Sequence, residues 1–101
     1  MDRMDRMSLE GISAKPVVPA LVVDASGRFC PGPVIDASDA ARQVALGAVF
    51  ELITTDPGSW RDIPAWCRNT GNALLVAEAP SDSERQGSEQ QRYRFVIRRD
   101  R

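Results

Sequence analysis

Apolar residues recur along the chain with two different spacings, and each spacing predicts a different kind of element. Short runs rich in β-branched and aromatic residues predict four strands, and stretches with apolar residues every three or four positions predict two helices. The predicted order is β-α-β-α-β-β. The strands are predicted at 20–24, 48–54, 74–77 and 92–98, and the helices at 31–46 and 57–70.

Proline and glycine set the expected helix ends. Gly47 is placed to end the first helix, and Asp56 followed by Pro57 is typical of an N-cap and a first helical residue. Pro64 falls inside the second helix, where its ring removes a hydrogen bond and crowds the preceding turn. We therefore expect that helix to be kinked or split.

The order of elements predicts the architecture. A strand–helix–strand unit gives a parallel pair with a right-handed crossover, and the last two strands can pair antiparallel across a polar loop at 80–90. Two helices are too few to cover both faces of a sheet. The prediction is an α+β fold: a two-layer α/β sandwich with both helices on one face of a four-stranded mixed sheet. Residues 1–19 are predicted to be a flexible N-terminal arm, and residues 20–101 the folded domain.

Composition removes several kinds of chemistry. The 101 residues include no histidine and two cysteines, so the chain can form no Cys–His or Ser–His pair and no zinc site of four cysteines. We expect no metal and no cofactor. The formal charge of −1 is typical neither of a nucleic-acid binder nor of a membrane-surface protein. Without a signal peptide or a run of about 20 apolar residues, we expect a cytoplasmic protein with reduced cysteines.

Cys30 is the residue with the strongest indication of reactivity. If Pro31 opens the first helix, Cys30 is its N-cap, and its sulfur lies near the free amide of Gly32 at the positive end of the helix dipole. That setting favours the thiolate, and Arg28 adds positive charge, so we predict a pKa for Cys30 below its ordinary value. The alternative is a small buried apolar residue, which is a common place for a free cysteine.

Other polar and aromatic residues are interpreted structurally. Cys67 lies on one helical face with Trp60 and Ile63, which favours core packing over a role as a resolving thiol. Asp24 and Asp56 are expected to serve a turn and a helix cap, and Trp66 is expected to pack. The arginine row of the last strand indicates a solvated strand face or, alternatively, a docking surface for an acidic partner; it comprises Arg92, Arg94 and Arg98.

Three stretches carry a resemblance to a known family. Residues 24–33 fit the pattern Asp-x-x-Gly-x-x-Cys-Pro-x-Pro, residues 55–67 contain Asp-Pro followed by Asp-Ile-Pro-x-aromatic-Cys, and residues 93–98 form the closing strand. In these stretches the chain resembles the TusA/SirA-like family of small sulfur-carrier proteins. The first pattern is specific, whereas Cys-Pro-x-Pro alone would be a weak signal.

The resemblance implies a function and a set of site residues. Cys30 would accept persulfide sulfur from a cysteine desulfurase or a rhodanese-type donor and pass it, as a sulfurtransferase, to an acceptor protein. The motif residues would shape the turn that presents it: Asp24, Gly27, Pro31, Gly32 and Pro33. We expect no direct contact with nucleic acid or membrane, and a monomer when the protein is free.

The chain departs from the family after the second motif proline. Many members carry basic residues there, whereas this sequence has Asp36 and Asp39, both expected to be exposed. We expect partners to dock over a rim formed by Arg28, Cys30 and Gly32, with the two carboxylates helping to choose among them. Arg92 and Arg94 are further partner-contact candidates. The alternative function is a non-catalytic protein-interaction or regulatory module of the same fold; a redox switch is less favoured because no resolving cysteine adjoins Cys30.

Overall fold

The computed structural model describes residues 18–80 and 91–101. Most of the predicted N-terminal arm and of the predicted polar loop, residues 1–17 and 81–90, lies outside this part of the chain. The elements are β1 (Leu21–Ala25), α1 (Gly32–Gln43), β2 (Val49–Thr54), α2 (Ser59–Thr70), β3 (Ala73–Glu78) and β4 (Tyr93–Arg98).

The four strands form one mixed sheet with the spatial order β1-β2-β4-β3. β1 pairs parallel with β2, and β4 pairs antiparallel with both β2 and β3. The β3–β4 register shifts between Leu74 and Val76. Both helices pack on one face of the sheet, so the predicted two-layer α+β fold is confirmed. In the described part of the chain, neither helix is long and apolar enough to cross a membrane.

The core lies between the sheet and the two helices. Alternate residues of the two central strands point toward the helices and are buried, as the period of two in a strand requires. Small residues on α1 allow that helix to approach the sheet closely, while α2 contributes larger side chains. The buried residues of the two central strands on this face are Phe50, Leu52, Thr54, Tyr93, Phe95 and Ile97; β1 adds Ala25, and the helices add Ala37, Ala40, Ala41, Ile63 and Cys67.

The aromatic residues of α2 pack as predicted. The Trp60 ring lies 6.1 Å, between centroids, from both Tyr93 and Phe95 on β4. Trp66 meets Phe50 edge-on and donates from Nε1 to Ser38 Oγ on α1 at 3.0 Å. The indole of Trp66 therefore ties the two helices to each other and to the sheet.

Helix α1 is shorter than predicted at both ends. It begins at Gly32 and ends at Gln43, because Val44 is extended with φ −103° and ψ 154°. Gly47 has φ +84°, which favours glycine, but it lies in the connection to β2 and does not end the helix. Its N–H donates to Arg99 O at 2.7 Å. The connection is thus held to the chain beyond β4, which draws residues 44–46 away from the helical path.

Helix α2 is one continuous helix from Ser59 to Thr70, so the predicted split at Pro64 is wrong. Proline removes the single hydrogen bond that its N–H would have donated to Trp60 O, near the start of the helix. Ile63 and Cys67, on either side of that point, are fully buried. Packing of this face against the sheet maintains the helix across the missing bond. The helix ends as predicted, with Gly71 in the left-handed region at φ +82°.

A buried hydroxyl pair fixes the start of α2 against the end of β2. Ser59 Oγ lies 2.5 Å from Thr54 Oγ1 and donates to the backbone oxygen of Asp56 at 2.7 Å. Because the Ser59 proton is used in this way, the Thr54 hydroxyl donates to Ser59. The predicted start at Pro57 is wrong by two residues, since residues 56–58 form the turn that this pair closes.

We predict that Ser59→Ala lowers the free energy of unfolding by about 1–3 kcal/mol, because it leaves the buried Thr54 hydroxyl without a partner. Urea denaturation followed by circular dichroism measures the change. Asn69→Ser, at an exposed position of the same helix, is the matched control and should change stability by less than about 0.5 kcal/mol. Equal stability of the Ser59→Ala variant and the wild type would contradict the role of the hydroxyl pair.

Candidate functional site

Two loops meet at one edge of the sheet and form the candidate site. The first loop, residues 26–31, follows β1, and the second, residues 55–58, follows β2. Because β1 and β2 are parallel, both loops leave the sheet at the same edge. Cys30 lies in the first loop and is exposed to solvent.

Asp24 and Gly27 shape the first loop. Asp24 Oδ1 accepts a hydrogen bond from the Ser26 N–H at 3.0 Å, the turn role expected for this carboxylate. Gly27 has φ +82°, which favours glycine, and its N–H donates to Thr55 Oγ1 at 2.8 Å. The turn is thereby tied to the second loop before the chain reaches the cysteine.

Asp56, in the second loop, also joins the two loops. Its Oδ2 accepts the Cys30 N–H at 2.9 Å, and its Oδ1 accepts the Gly58 N–H at 3.1 Å. The sequence predicted Asp56 as the N-cap of α2, but Gly58 occupies that position. Asp56 therefore does more than close a turn, because it fixes the backbone of Cys30 against the start of α2.

Cys30 is not the N-cap of α1, as the sequence predicted, because Pro31 occupies that position after a cis peptide bond. The Gly32 N–H donates to Phe29 O at 2.6 Å, so it is not directed at the sulfur. The helix amide that was expected to stabilise a thiolate is thus already engaged.

The next two motif residues are buried. Gly32 was expected on an exposed docking rim, but it lies under the Arg28 side chain, where an added Cβ would come within 3.1 Å of Arg28 Cβ and Nε. Pro33 is also buried, against the core side of the helix. These two residues set the approach of Arg28 and α1 to the loop and do not form an exposed contact.

The Cys30 sulfur is in contact with a carboxylate. Its thiol donates to Asp62 Oδ2, with the sulfur and oxygen 3.0 Å apart. This hydrogen bond is the main cause that raises the pKa of Cys30 above its ordinary value; desolvation and the charges of Asp62 and Asp56 act in the same direction, and Arg61 opposes them. The predicted lowering of the Cys30 pKa is therefore wrong.

Asp62 is the site residue that the sequence analysis missed. It lies in the first turn of α2, 32 residues from Cys30, and the strand pairing brings it to the thiol. Its place in the Asp-Ile-Pro run, Asp62-Ile63-Pro64, was the available signal. Nothing in that run alone indicates which group the carboxylate contacts.

Arg28 and the acidic residues of α1 interact with each other more than with the thiol. Arg28 Nε lies 2.7 Å from Asp36 Oδ2, and Asp36 is partly buried instead of exposed as expected. Asp39 is exposed as predicted and pairs with Arg42. The negative charge that acts on the Cys30 thiol thus comes from the second loop and α2, and not from α1.

The arginines of β4 are placed differently from one another. Arg94 bridges Glu51 Oε2 at 2.8 Å and Glu78 Oε1 at 3.2 Å on the sheet face opposite the helices, and these pairs raise the pKa of its guanidinium. Arg98 pairs with Asp100. Arg92 precedes β4 and is exposed. Arg94 is therefore engaged in a cross-strand ion pair and is not brought to the Cys30 thiol.

Two exposed apolar residues, one directly before Cys30 and one five positions after it in the chain, were not identified from the sequence. Phe29 is 77% exposed and Ile35, one turn into α1, is 49% exposed. The Ile35 N–H donates to Pro31 O at 3.1 Å, which holds this residue close to the motif. Exposed apolar side chains of this kind are available for protein contacts.

Cys67 is in the core, as predicted. It is buried on α2, and burial raises its pKa to about 11. Both cysteines are free thiols, so no disulfide joins them. Its setting is that of an inert structural cysteine.

The fold and the site define a small two-layer α/β domain that presents one exposed cysteine in a Cys-Pro-x-Pro turn. Residues 21–99 match the family model described as sulfurtransferase TusA, and the chain belongs to the TusA family. A solved SirA-like protein from Desulfitobacterium hafniense has the same fold, with a TM-score of 0.56 and 19% identity over 77% of this chain and 95% of that protein.

Curated relatives show the same relationship in sequence. A putative sulfur carrier protein of Archaeoglobus fulgidus is 37% identical over 62 residues, which are 61% of this chain and 85% of that protein. The sulfur carrier protein TusA of Pseudomonas putida GB-1 is 42% identical over 57 residues, 56% of this chain and 71% of that protein. A putative sulfur carrier protein of Aquifex aeolicus is 45% identical over 55% of this chain, but the match spans only 28% of its length.

We predict that iodoacetamide alkylates Cys30 with a pH midpoint above that of an unfolded cysteine, about 8.5. Only the thiolate reacts, and the Asp62 hydrogen bond stabilises the protonated thiol. Peptide mapping after timed alkylation separates Cys30 from Cys67, which should not react in the folded protein near neutral pH. The control is the same protein unfolded in urea; a Cys30 midpoint at or below the unfolded value would refute the effect of the carboxylates.

Proposed function

We propose that this protein is a sulfur carrier that accepts persulfide sulfur on Cys30 from a cysteine desulfurase or rhodanese-type donor and relays it to an acceptor protein. The observation that carries the proposal is the exposed Cys30 thiol in the family's motif turn, while the other cysteine is buried. The names of the curated relatives support the same role.

The transfer needs only a thiol that a partner can reach. The Cys30 thiol first loses its proton to solvent; the thiolate then forms a bond to the outer sulfur of the donor persulfide, and the sulfur–sulfur bond of the donor breaks. The bonding pair leaves on the donor cysteine, which takes up a proton. Cys30 now bears the persulfide, and an acceptor thiolate removes its outer sulfur in the same way. As in thiol–disulfide exchange, the rate depends on thiolate fraction and access.

The loop geometry supports presentation of the sulfur. The hydrogen bonds from Gly27 to Thr55 and from Cys30 to Asp56 hold the backbone at the sheet edge, so little order has to be gained when a partner docks. Phe29, next to Cys30 in the chain, and Ile35 on α1 offer exposed apolar contact area. We propose that partners dock over the rim around Cys30, with Arg28, Asp36 and the exposed Asp39 at its α1 side.

A second candidate function is a protein-interaction module that moves no sulfur. The exposed Phe29 and Ile35 favour it, because they would serve a docking surface whether or not Cys30 reacts. The two functions differ in what Cys30→Ser does. A pure interaction module keeps its partner affinity and its biological effect in this variant, whereas a sulfur carrier keeps affinity and loses sulfur transfer.

We predict that incubation with a purified cysteine desulfurase and L-cysteine adds the mass of one sulfur atom to the full chain. Cys30→Ala should abolish the gain because it removes the exposed thiol, and Cys67→Ala should retain it because that thiol is buried. Intact mass spectrometry measures the gain, and dithiothreitol should reverse it.

Two controls test whether a missing sulfur adduct results from an unfolded variant or from an unsuitable donor. Circular dichroism shows whether each cysteine variant is folded, and a rhodanese charged with thiosulfate serves as a second donor. A sulfur adduct mapped to Cys67 in the wild type would refute the assignment to Cys30. Absence of any adduct with both donors would refute the carrier function and favour the interaction module.

A further inference from the structure

Two carboxylates face Cys30 from the α2 side, and we call Asp56 and Asp62 the acidic pair. Asp62 Oδ2 holds the thiol at 3.0 Å, and Asp56 Oδ2 holds the backbone N–H of the same residue at 2.9 Å. The Asp62 side chain is 27% exposed, so a partner can reach it while it contacts the sulfur. The thiol and the acidic pair therefore form one surface.

Among the residues that the structure describes, the nearby cations leave Asp62 largely unpaired. Arg28 is directed to Asp36 at 2.7 Å. Arg61 Nε lies 3.9 Å from Asp62 Oδ1, at the limit of an ion pair, and its side chain is 87% exposed. An exposed pair with this separation contributes little. The second oxygen of Asp62 is thus accessible to a stronger cation from outside.

We propose that Asp62 is a specificity-determining residue that restrains the Cys30 thiol in the free protein and releases it to a donor that presents a guanidinium or ammonium group beside its outer sulfur. The inference rests on the proposed function, since it names the charge of the sulfur donor. A cation that pairs with Asp62 competes with the thiol for the carboxylate, and the proton of the freed thiol passes to solvent.

The charge of the acidic pair affects both the approach of a donor and the reactivity of the Cys30 thiol. It attracts a cationic donor and repels an anionic one, which affects the rate of encounter and the choice of partner. In the absence of a cation, the carboxylate keeps the exposed thiol protonated and slow toward small electrophiles. Reactivity of Cys30 then depends on the charge of the reagent, which can be measured without any donor protein.

Methanethiosulfonate reagents of opposite charge test this directly on the full chain. The Cys30 thiolate attacks the sulfenyl sulfur of the reagent, a disulfide forms, and methanesulfinate leaves with the electron pair of the broken sulfur–sulfur bond. The measured quantity is the rate with the trimethylammonium-ethyl reagent divided by the rate with the sulfonate-ethyl reagent. Each rate is normalised to that of the urea-unfolded protein.

The wild type should prefer the cationic reagent by on the order of threefold or more at low salt, and the preference should fall as salt screens the charges. Asp62→Asn should reduce the preference. The same variant should react faster with the neutral methyl reagent at pH 7, by about tenfold for each unit by which the pKa of Cys30 falls.

Asp100→Asn is the matched control because it removes a carboxylate at the other end of α2, where Asp100 N–H bonds to Asn72. Asp62 lies about 12 Å along the helix axis from Thr70, the last residue of α2, so the two carboxylates are well separated. This variant should match the wild type in both measurements. Circular dichroism confirms that each variant is folded.

Two results would overturn the proposal, and one of them needs no variant. The first is that, at low salt, the folded wild type shows the same ratio of cationic to anionic reagent rates as the unfolded protein. The second is a folded Asp62→Asn variant with unchanged preference and unchanged rate toward the neutral reagent. Failure of desulfurase loading would refute the carrier function and leave both measurements unaffected, so the two claims fail separately.

Discussion

The parallel pairing of β1 with β2 is the constraint on which the site depends. It brings the loop after each strand to the same edge of the sheet. Cys30 thereby contacts Asp56 and Asp62, which lie 26 and 32 positions further along the chain. Asp56 converts that proximity into a fixed geometry by accepting amide hydrogens from both loops. The buried pair of Thr54 and Ser59 then fixes where α2 begins, and so where Asp62 lies.

The chemistry of the thiol follows from which charges reach it. Helix α1 offers less to the sulfur than its position suggests, because the Gly32 amide is bonded to Phe29 O and Arg28 is paired with Asp36. The start of α2 supplies a carboxylate within hydrogen-bond distance. A carboxylate acceptor stabilises the thiol over the thiolate. Exposure and intrinsic acidity are therefore separate properties of Cys30, and only exposure favours transfer in the free protein.

Much of the fold could be predicted from the sequence because it depends on local patterns. The strands of period two, the apolar face of α2 with Ile63 and Cys67, and the glycine that ends α2 all carry their signals within a few residues. The ends of α1 and the continuity of α2 through Pro64 could not be predicted, since both are decided by packing and by contacts with distant segments. Gly47 illustrates this, because its partner is Arg99.

The site was predictable in part for the same reason. Cys30 and its turn residues lie in one continuous motif, whereas Asp62 becomes a neighbour of the sulfur only through the tertiary fold. The most direct test of a thiol held protonated by the acidic pair is a pH titration of the Cys30 ¹³Cβ resonance in the full chain. We predict a pKa for Cys30 above that of cysteine in the urea-unfolded protein. A value at or below the unfolded one would contradict this prediction.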